Sequence, residues 1–105
     1  MLDNAEIKIL IVDDQLSNIQ MLMAFLEEEG YSIVYNTNPL EALERIFNEE
    51  FDLILLDINM PQLNGIEMCK RLKKDPQTNE TPILFLSADH DTDTITNAFS
   101  SGGVD

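Results

Sequence analysis

Three aspartates follow apolar runs typical of buried strands, and together they could bind a divalent cation. Asp13 and Asp14 end the run at residues 7–12, and Asp57 ends the run at residues 51–56. If the two runs form neighbouring parallel strands, the carboxylates meet at the carboxyl ends of the strands, where open α/β sheets bind ligands. No Arg or Lys adjoins them in the sequence, so a cation is the expected source of neutralising charge. The pattern predicts a magnesium site around Asp57.

The elements that must position these aspartates alternate between strand-like and helix-like spacing. This alternation predicts successive βα units around a parallel sheet, with no repeat and no long linker. The predicted strands cover residues 7–12, 31–35, 51–57 and 82–87. The predicted helices carry inward stripes at Ile19, Leu22, Met23 and Leu26, at Leu40, Leu43, Ile46 and Phe47, and at Ile66, Cys69 and Leu72. A weaker helix is predicted over residues 91–101, whose Thr, Asn and Ser residues are poor helix formers.

Helix ends are also marked in the sequence. Asn38, Pro39 and Glu41 predict a cap, a first-turn proline and a capping-box acid. The third helix is predicted over residues 65–74, with Lys70, Lys73 and Lys74 pointing outward near its carboxyl end, where cations suit the helix dipole. Met21 and Phe25 fall outside the inward stripe of the first helix, and they either pack against a neighbouring helix or form a docking patch.

Composition limits the class of protein. The 105 residues suffice for one domain, and the net charge of −14 argues against a nucleic-acid-binding surface, which needs clustered Lys and Arg. No apolar run approaches the roughly 20 residues that span a bilayer. The single cysteine, Cys69, cannot form an internal disulfide, and no segment resembles a signal peptide. We therefore expect a cytoplasmic domain that contacts neither membrane nor nucleic acid.

Four segments in order resemble the receiver domain of two-component response regulators. They are residues 9–14, residues 55–65 with their Asn59-Met60-Pro61 loop, residues 82–88, and residues 102–105. Each segment alone is modest evidence, but together at these spacings they are specific. The resemblance covers essentially the whole chain. It implies an α/β, flavodoxin-like (CheY-like) doubly wound parallel sheet in strand order 2-1-3-4, continued in the family by a fifth strand and helix.

The resemblance also implies a role for each candidate site residue. Asp57 would be the phosphoacceptor, receiving a phosphoryl group from a histidine kinase or a histidine phosphotransfer protein. Asp14 and Asp57 would ligate Mg²⁺ directly, Asp13 directly or through water, and the backbone carbonyl of Asn59 would complete the protein ligands. The Ser87 hydroxyl would donate a hydrogen bond to the phosphoryl oxygen. Such a domain is a signalling module and not an enzyme with its own substrate.

The sequence departs from the family at its end. Receivers continue into a fifth strand that carries a lysine, whereas this sequence stops at Val104-Asp105 and has no lysine after Ser87. We read it as a C-terminally truncated receiver and expect phosphorylation to be slow or absent. We also expect association into a homodimer or oligomer through the exposed edge of the fourth strand. The alternatives are a pseudo-receiver that keeps the fold without phosphotransfer, and a flavin-binding electron carrier. Asp13 and Asp14 disfavour the carrier because they would repel a flavin phosphate.

Overall fold

The computed structural model describes residues 4–86 of the chain. The predictions for Ser87 and for the helix at residues 91–101 lie outside this part. After a 3₁₀ turn, Asn4–Glu6, the elements are β1 (Lys8–Val12), α1 (Leu16–Glu28), β2 (Ser32–Asn36), α2 (Pro39–Asn48), β3 (Leu53–Asp57), α3 (Gly65–Lys74) and β4 (Ile83–Leu86). The predicted strands and helices are thus found in the predicted order, with strand ends shifted by one or two residues. None of the helices in this part is long and apolar enough to cross a membrane.

The strands form one parallel sheet in the order β2-β1-β3-β4, which confirms the predicted fold. The central strand β1 is apolar on both faces, as a strand covered on both sides must be. Leu10 and Val12 face a core that includes residues of α2 and α3. Ile9 and Ile11 face the opposite core, which includes residues of α1. Helices therefore cover both faces of the sheet, as in a doubly wound α/β fold.

Helix α1 ends at a glycine whose backbone conformation requires that residue. Gly30 has a φ of 92°, in the left-handed region that a side chain disfavours. Its N–H donates to the Glu27 carbonyl at 2.9 Å, and the Tyr31 N–H donates to the Leu26 carbonyl at 3.3 Å. These two bonds make a Schellman motif, which satisfies carbonyls at the helix end. The helix therefore stops at Gly30, and the chain turns directly into β2.

Helix α2 confirms its predicted cap but corrects two details. The Asn38 side chain accepts hydrogen bonds from the N–H groups of Leu40 and Glu41, at 2.9 and 3.1 Å. The reciprocal bond of a capping box is not made, because the Asn38 N–H donates instead to the side chain of Asn36 at 3.0 Å. Leu40 was predicted to face the core but is 48% exposed. Pro39 in the same turn is fully buried, so the covered face of the helix passes to one side of Leu40.

Helix α3 has the predicted bounds and a wider buried face than predicted. Cys69 and Leu72 are buried as predicted, Ile66 is only half-buried, and Met68 is fully buried although it was not predicted. Lys73 was predicted to point into solvent but is half-buried, because its ammonium group donates to the carbonyls of Asn79 and Thr81 at 3.2 and 2.8 Å. Those contacts attach the connection between α3 and β4 to the helix.

Candidate metal centre

The sheet register brings the predicted aspartates together. Val12 lies beside Leu56 in the parallel pair of β1 and β3, so the residues that follow them, Asp13 and Asp57, end up next to each other. The ligand atoms of Asp13, Asp14 and Asp57 all lie within 4.8 Å of one another. The three carboxylates therefore meet at the carboxyl edge of the sheet, as predicted.

The two adjacent aspartates of this group differ in their surroundings. Asp13 is 3% exposed, whereas Asp14 is half-buried. One Asp13 oxygen, Oδ1, accepts a hydrogen bond from the Gln15 N–H at 2.9 Å, and Oδ2 accepts one from the Asn18 side-chain amide at 3.2 Å. These donors compensate for the burial of a charged group. Asp13 is thus fixed by the start of α1, while Asp14 is open to solvent and to a ligand.

Asp57 is the aspartate of this group whose carboxyl pKa is shifted. The pKa of Asp57 is raised from 3.8 to about 6, mainly by burial and also by the nearby charges of Asp13 and Asp14. The Asn59 N–H, which donates to Asp57 Oδ1 at 3.4 Å, opposes the shift. Three carboxylates at this separation repel one another unless a proton or a cation neutralises part of their charge.

The loop after β3 is fixed by both packing and backbone geometry. Ile58, Met60 and Leu63 are buried and anchor the loop in the core. Between them, Gln62 has a φ of 71°, and the Leu63 N–H donates to the Pro61 carbonyl at 2.8 Å. A γ-turn of this hand is rare for a residue with a side chain and is strained. The buried anchors hold the strained turn beside the aspartates.

Gly65, the first residue of α3, lies directly against the backbone of Asp57. A Cβ at this position would overlap the Asp57 carbonyl oxygen and crowd the neighbouring backbone atoms. The Gly65 N–H donates to the Ile58 carbonyl at 2.8 Å, and the Asn64 side chain caps the helix by accepting from the Glu67 N–H at 2.8 Å. The close approach fixes the backbone that carries Asp57, and only glycine permits it.

The residues present suit a hard divalent cation. Mg²⁺ prefers oxygen ligands and is bound in proteins by one or two carboxylates that leave several water positions. Asp14 and Asp57 are both partly accessible, and Asp13 places a third negative charge behind them. Exposed acidic groups are common without an ion, but here one of the three is buried and hydrogen-bonded in place. The donor set fits Mg²⁺.

Comparison with known proteins agrees with this geometry. The sequence profile of the response regulator receiver domain matches residues 9–105. The chain belongs to the response regulator receiver domain family. The receiver is 38% identical over 98 residues to the transcriptional regulatory protein CrdR of Helicobacter pylori, covering 93% of this chain and 46% of that protein. It is 43% identical over 81 residues to the alkaline phosphatase synthesis transcriptional regulatory protein PhoP of Bacillus subtilis, covering 77% and 33%.

Solved structures give the same assignment. A two-component response regulator from Clostridium difficile superposes on the receiver with a TM-score of 0.86 at 37% identity, covering 94% of this chain and 79% of that one. The Vibrio cholerae chemotaxis protein CheY4 gives a TM-score of 0.85 at 32% identity, covering 92% and 81%. The chain spans less than half the length of the two curated relatives named above.

Some predicted site residues are tested by this structure and others are not. The convergence of Asp13, Asp14 and Asp57 is confirmed. For Asn59 the structure gives its N–H bond to Asp57, and its carbonyl as a metal ligand stays a prediction. Ser87 follows Leu86, which pairs with Asp57 in the sheet, but Ser87 itself lies outside the described residues. The sequence analysis missed Asn18. Its only signal was an amide five residues after a candidate ligand, at the start of a helix.

Proposed function

We propose that this receiver accepts a phosphoryl group on Asp57 from a phosphohistidine of a histidine kinase or histidine phosphotransfer protein, and that it does so with Mg²⁺. The observation that carries the proposal is the meeting of three carboxylates at the ends of β1 and β3, one of which is buried and held while the others are accessible. The domain is then a phosphoacceptor in two-component signalling and not an enzyme that acts on a substrate of its own.

Asp57 is suited to the role of nucleophile. One oxygen of its carboxylate attacks the phosphorus, the bond between phosphorus and the donor imidazole nitrogen breaks, and the electron pair of that bond stays on the nitrogen. The attacking group must be ionised, and a pKa of about 6 leaves Asp57 mostly ionised at neutral pH.

The remaining residues position Asp57 or hold the ion that offsets negative charge. Asp13, Asp14 and Asp57 would hold Mg²⁺, with the Asn59 carbonyl as a proposed further ligand. When bound, the ion supplies positive charge that offsets the repulsion between the carboxylates and the incoming phosphoryl group. Phosphoryl transfer depends mainly on positioning and charge stabilisation. Gly65 and the anchored loop supply the positioning by fixing the backbone of Asp57, and we assign to Ser87 a hydrogen bond to the transferred phosphoryl group.

The test is a time course with acetyl phosphate and Mg²⁺, followed by intact-protein mass spectrometry. We expect the wild type to gain one phosphoryl group that hydroxylamine removes, as it removes acyl phosphates. Asp57→Asn should gain none, and EDTA should suppress the reaction. Glu50→Gln is the matched control, because it removes one negative charge from an exposed residue at the opposite end of β3. A phosphorylated Asp57→Asn variant, or a wild type that stays unmodified with both acetyl phosphate and a phosphohistidine donor, would contradict the proposal.

The alternative of a pseudo-receiver has less in its favour. A receiver that has lost phosphotransfer has no need of a carboxylate at each of the three positions, and this chain keeps all of them together. The raised pKa of Asp57 is a cost to stability that a purely structural module could avoid with a neutral residue. Both observations favour the phosphoacceptor.

An exposed apolar pair on α1 supports a site for the phosphodonor. Met21 and Phe25 are 72% and 64% exposed, so within residues 4–86 no neighbouring helix covers them. They lie one turn apart on α1, the helix that begins beside the metal centre. We propose that the histidine-containing partner docks here. Replacing both residues with serine should slow transfer from the protein donor but leave transfer from acetyl phosphate unchanged.

The edge of β4 favours self-association. Within residues 4–86, β4 pairs only with β3, and its residues Leu84, Phe85 and Leu86 are half-buried. We propose homodimer or oligomer formation through the open edge of this strand. Light scattering over a concentration series tests it, and a monomer at high concentration would rule it out.

We also propose that the domain is cytoplasmic, since its one cysteine fits a reducing compartment, and that its acidic surface binds neither nucleic acid nor membrane.

A further inference from the structure

We propose that Asn18 is a positioning residue of the metal centre, whose side-chain amide holds the Asp13 carboxylate in the orientation that faces Asp14 and Asp57. The inference rests on the proposed function and goes beyond it, because it assigns a role to a neutral residue of α1 outside the ligand set. Asn18 would not touch the ion or the phosphoryl group. It would act through Asp13.

The geometry of the contact defines its chemistry. The Asn18 Nδ2 atom lies 3.2 Å from Asp13 Oδ2. A carboxylate can only accept hydrogen bonds, so the amide must present its NH₂ group to Asp13 and turn its oxygen away. Asn18 itself is exposed, and its neighbour Ile19 is the residue that packs into the core. The Asn18 side chain is therefore oriented by Asp13 and not by packing.

Two hydrogen bonds hold the carboxylate where one would not. The torsion that rotates an aspartate carboxyl group has a broad, shallow profile. The Gln15 N–H fixes Oδ1 at 2.9 Å, which leaves Oδ2 free to swing around that single contact. The bond from Asn18 to Oδ2 removes this freedom. Because α1 has no side-chain cap of its own at Gln15, Asp13 serves both the start of the helix and the metal centre.

The arrangement keeps Asp13 available to a cation. An ionised carboxylate offers about four acceptor positions, of which Gln15 and Asn18 use one each. The positions left can ligate Mg²⁺ directly or through water. The amide also disperses negative charge among the three aspartates without adding any charge of its own. An acid at position 18 would instead add a fourth carboxylate to the group.

The experiment measures Mg²⁺ affinity by calorimetry and metal-free stability by thermal unfolding in EDTA. Asn18→Ala should weaken Mg²⁺ binding by about tenfold, the lower end of the range for partners that orient metal ligands. Gln20→Ala is the control, since Gln20 is an exposed residue of the same helix and its side chain makes no hydrogen bond to another described residue. It should bind Mg²⁺ like the wild type. A role limited to helix stability would change unfolding and leave the Mg²⁺ affinity unaltered.

A second variant tests the charge argument. Asn18→Asp removes the donor and adds a carboxylate, so its melting temperature in EDTA should fall below that of Asn18→Ala. Equal Mg²⁺ affinity in Asn18→Ala and Gln20→Ala would overturn the role of Asn18 alone. A wild type that neither binds Mg²⁺ in calorimetry nor gains stability when Mg²⁺ is added would overturn the proposed metal centre, and the inference with it.

Discussion

Replacing Asp57 with asparagine should stabilise the metal-free protein at neutral pH. In the wild type, burial and the charges of Asp13 and Asp14 disfavour the ionised Asp57, which is why its pKa is raised. An asparagine has nearly the same shape, can still accept the bond from the Asn59 N–H, and carries no charge. The substitution therefore removes a repulsion that the folded protein bears and the unfolded chain does not.

The size of the effect follows from the pKa shift. A shift from 3.8 to about 6 corresponds to at most about 3 kcal/mol of lost folding free energy at pH 7. Asp57 is only half-buried, so water screens part of this repulsion, and we expect a gain of about 1–2 kcal/mol. For a domain of this length that gain corresponds to a rise of roughly 5–10 °C in melting temperature.

The pH dependence gives the prediction its sign. The folded protein holds the Asp57 proton more tightly than the unfolded chain does, so protonation of Asp57 stabilises the folded state. This stabilisation is complete below pH 3.8 and is lost as the pH rises through about 6. The advantage of Asp57→Asn should thus be small near pH 4, grow between pH 4 and 6, and level off above pH 7. Addition of Mg²⁺ should stabilise the wild type and not the variant, so the gap between them narrows.

The assay is thermal unfolding of both proteins in EDTA across this pH range. The chain carries a net charge of −14, so removal of any acid could relieve general repulsion. Glu50→Gln controls for that effect, because it removes one charge far from the three aspartates. An equal gain in the control, a gain that does not change with pH, or a loss of stability in Asp57→Asn would refute the reasoning.

Two further predictions concern the starts of helices. Gly65→Ala should cost about 1–3 kcal/mol in urea unfolding and weaken Mg²⁺ binding, because the added methyl group forces the start of α3 away from the Asp57 carbonyl; unchanged stability and affinity would show that the close approach is not required. Asn38→Ala should cost about 1 kcal/mol by removing the acceptor for the N–H groups of Leu40 and Glu41, whereas Asn38→Asp should keep most of the stability; equal losses in both variants would argue against a capping role.

Much of the fold could be predicted from local patterns. Continuous apolar runs predict strands covered on both faces, and the spacing of Ile19, Leu22 and Leu26 predicts the inward side of α1. Gly30 and Asn38 mark helix ends because their backbone or side-chain chemistry is local. Leu40 shows where such reasoning fails. Helical spacing groups apolar side chains into a stripe but does not say how wide a part of that stripe the rest of the protein covers.

The amino-acid sequence by itself determined which carboxylates this receiver brings together, since an acid that follows a buried parallel strand must lie at the carboxyl edge of the sheet. Only the tertiary structure decided what each carboxylate can do. Asp13 and Asp14 are adjacent in the chain, yet one is buried and accepts two hydrogen bonds from the start of α1, and the other is accessible. The pKa of Asp57 and the need for glycine at position 65 likewise arise from contacts between separate elements, and charge, burial and overlap of this kind depend on distances that no local pattern encodes.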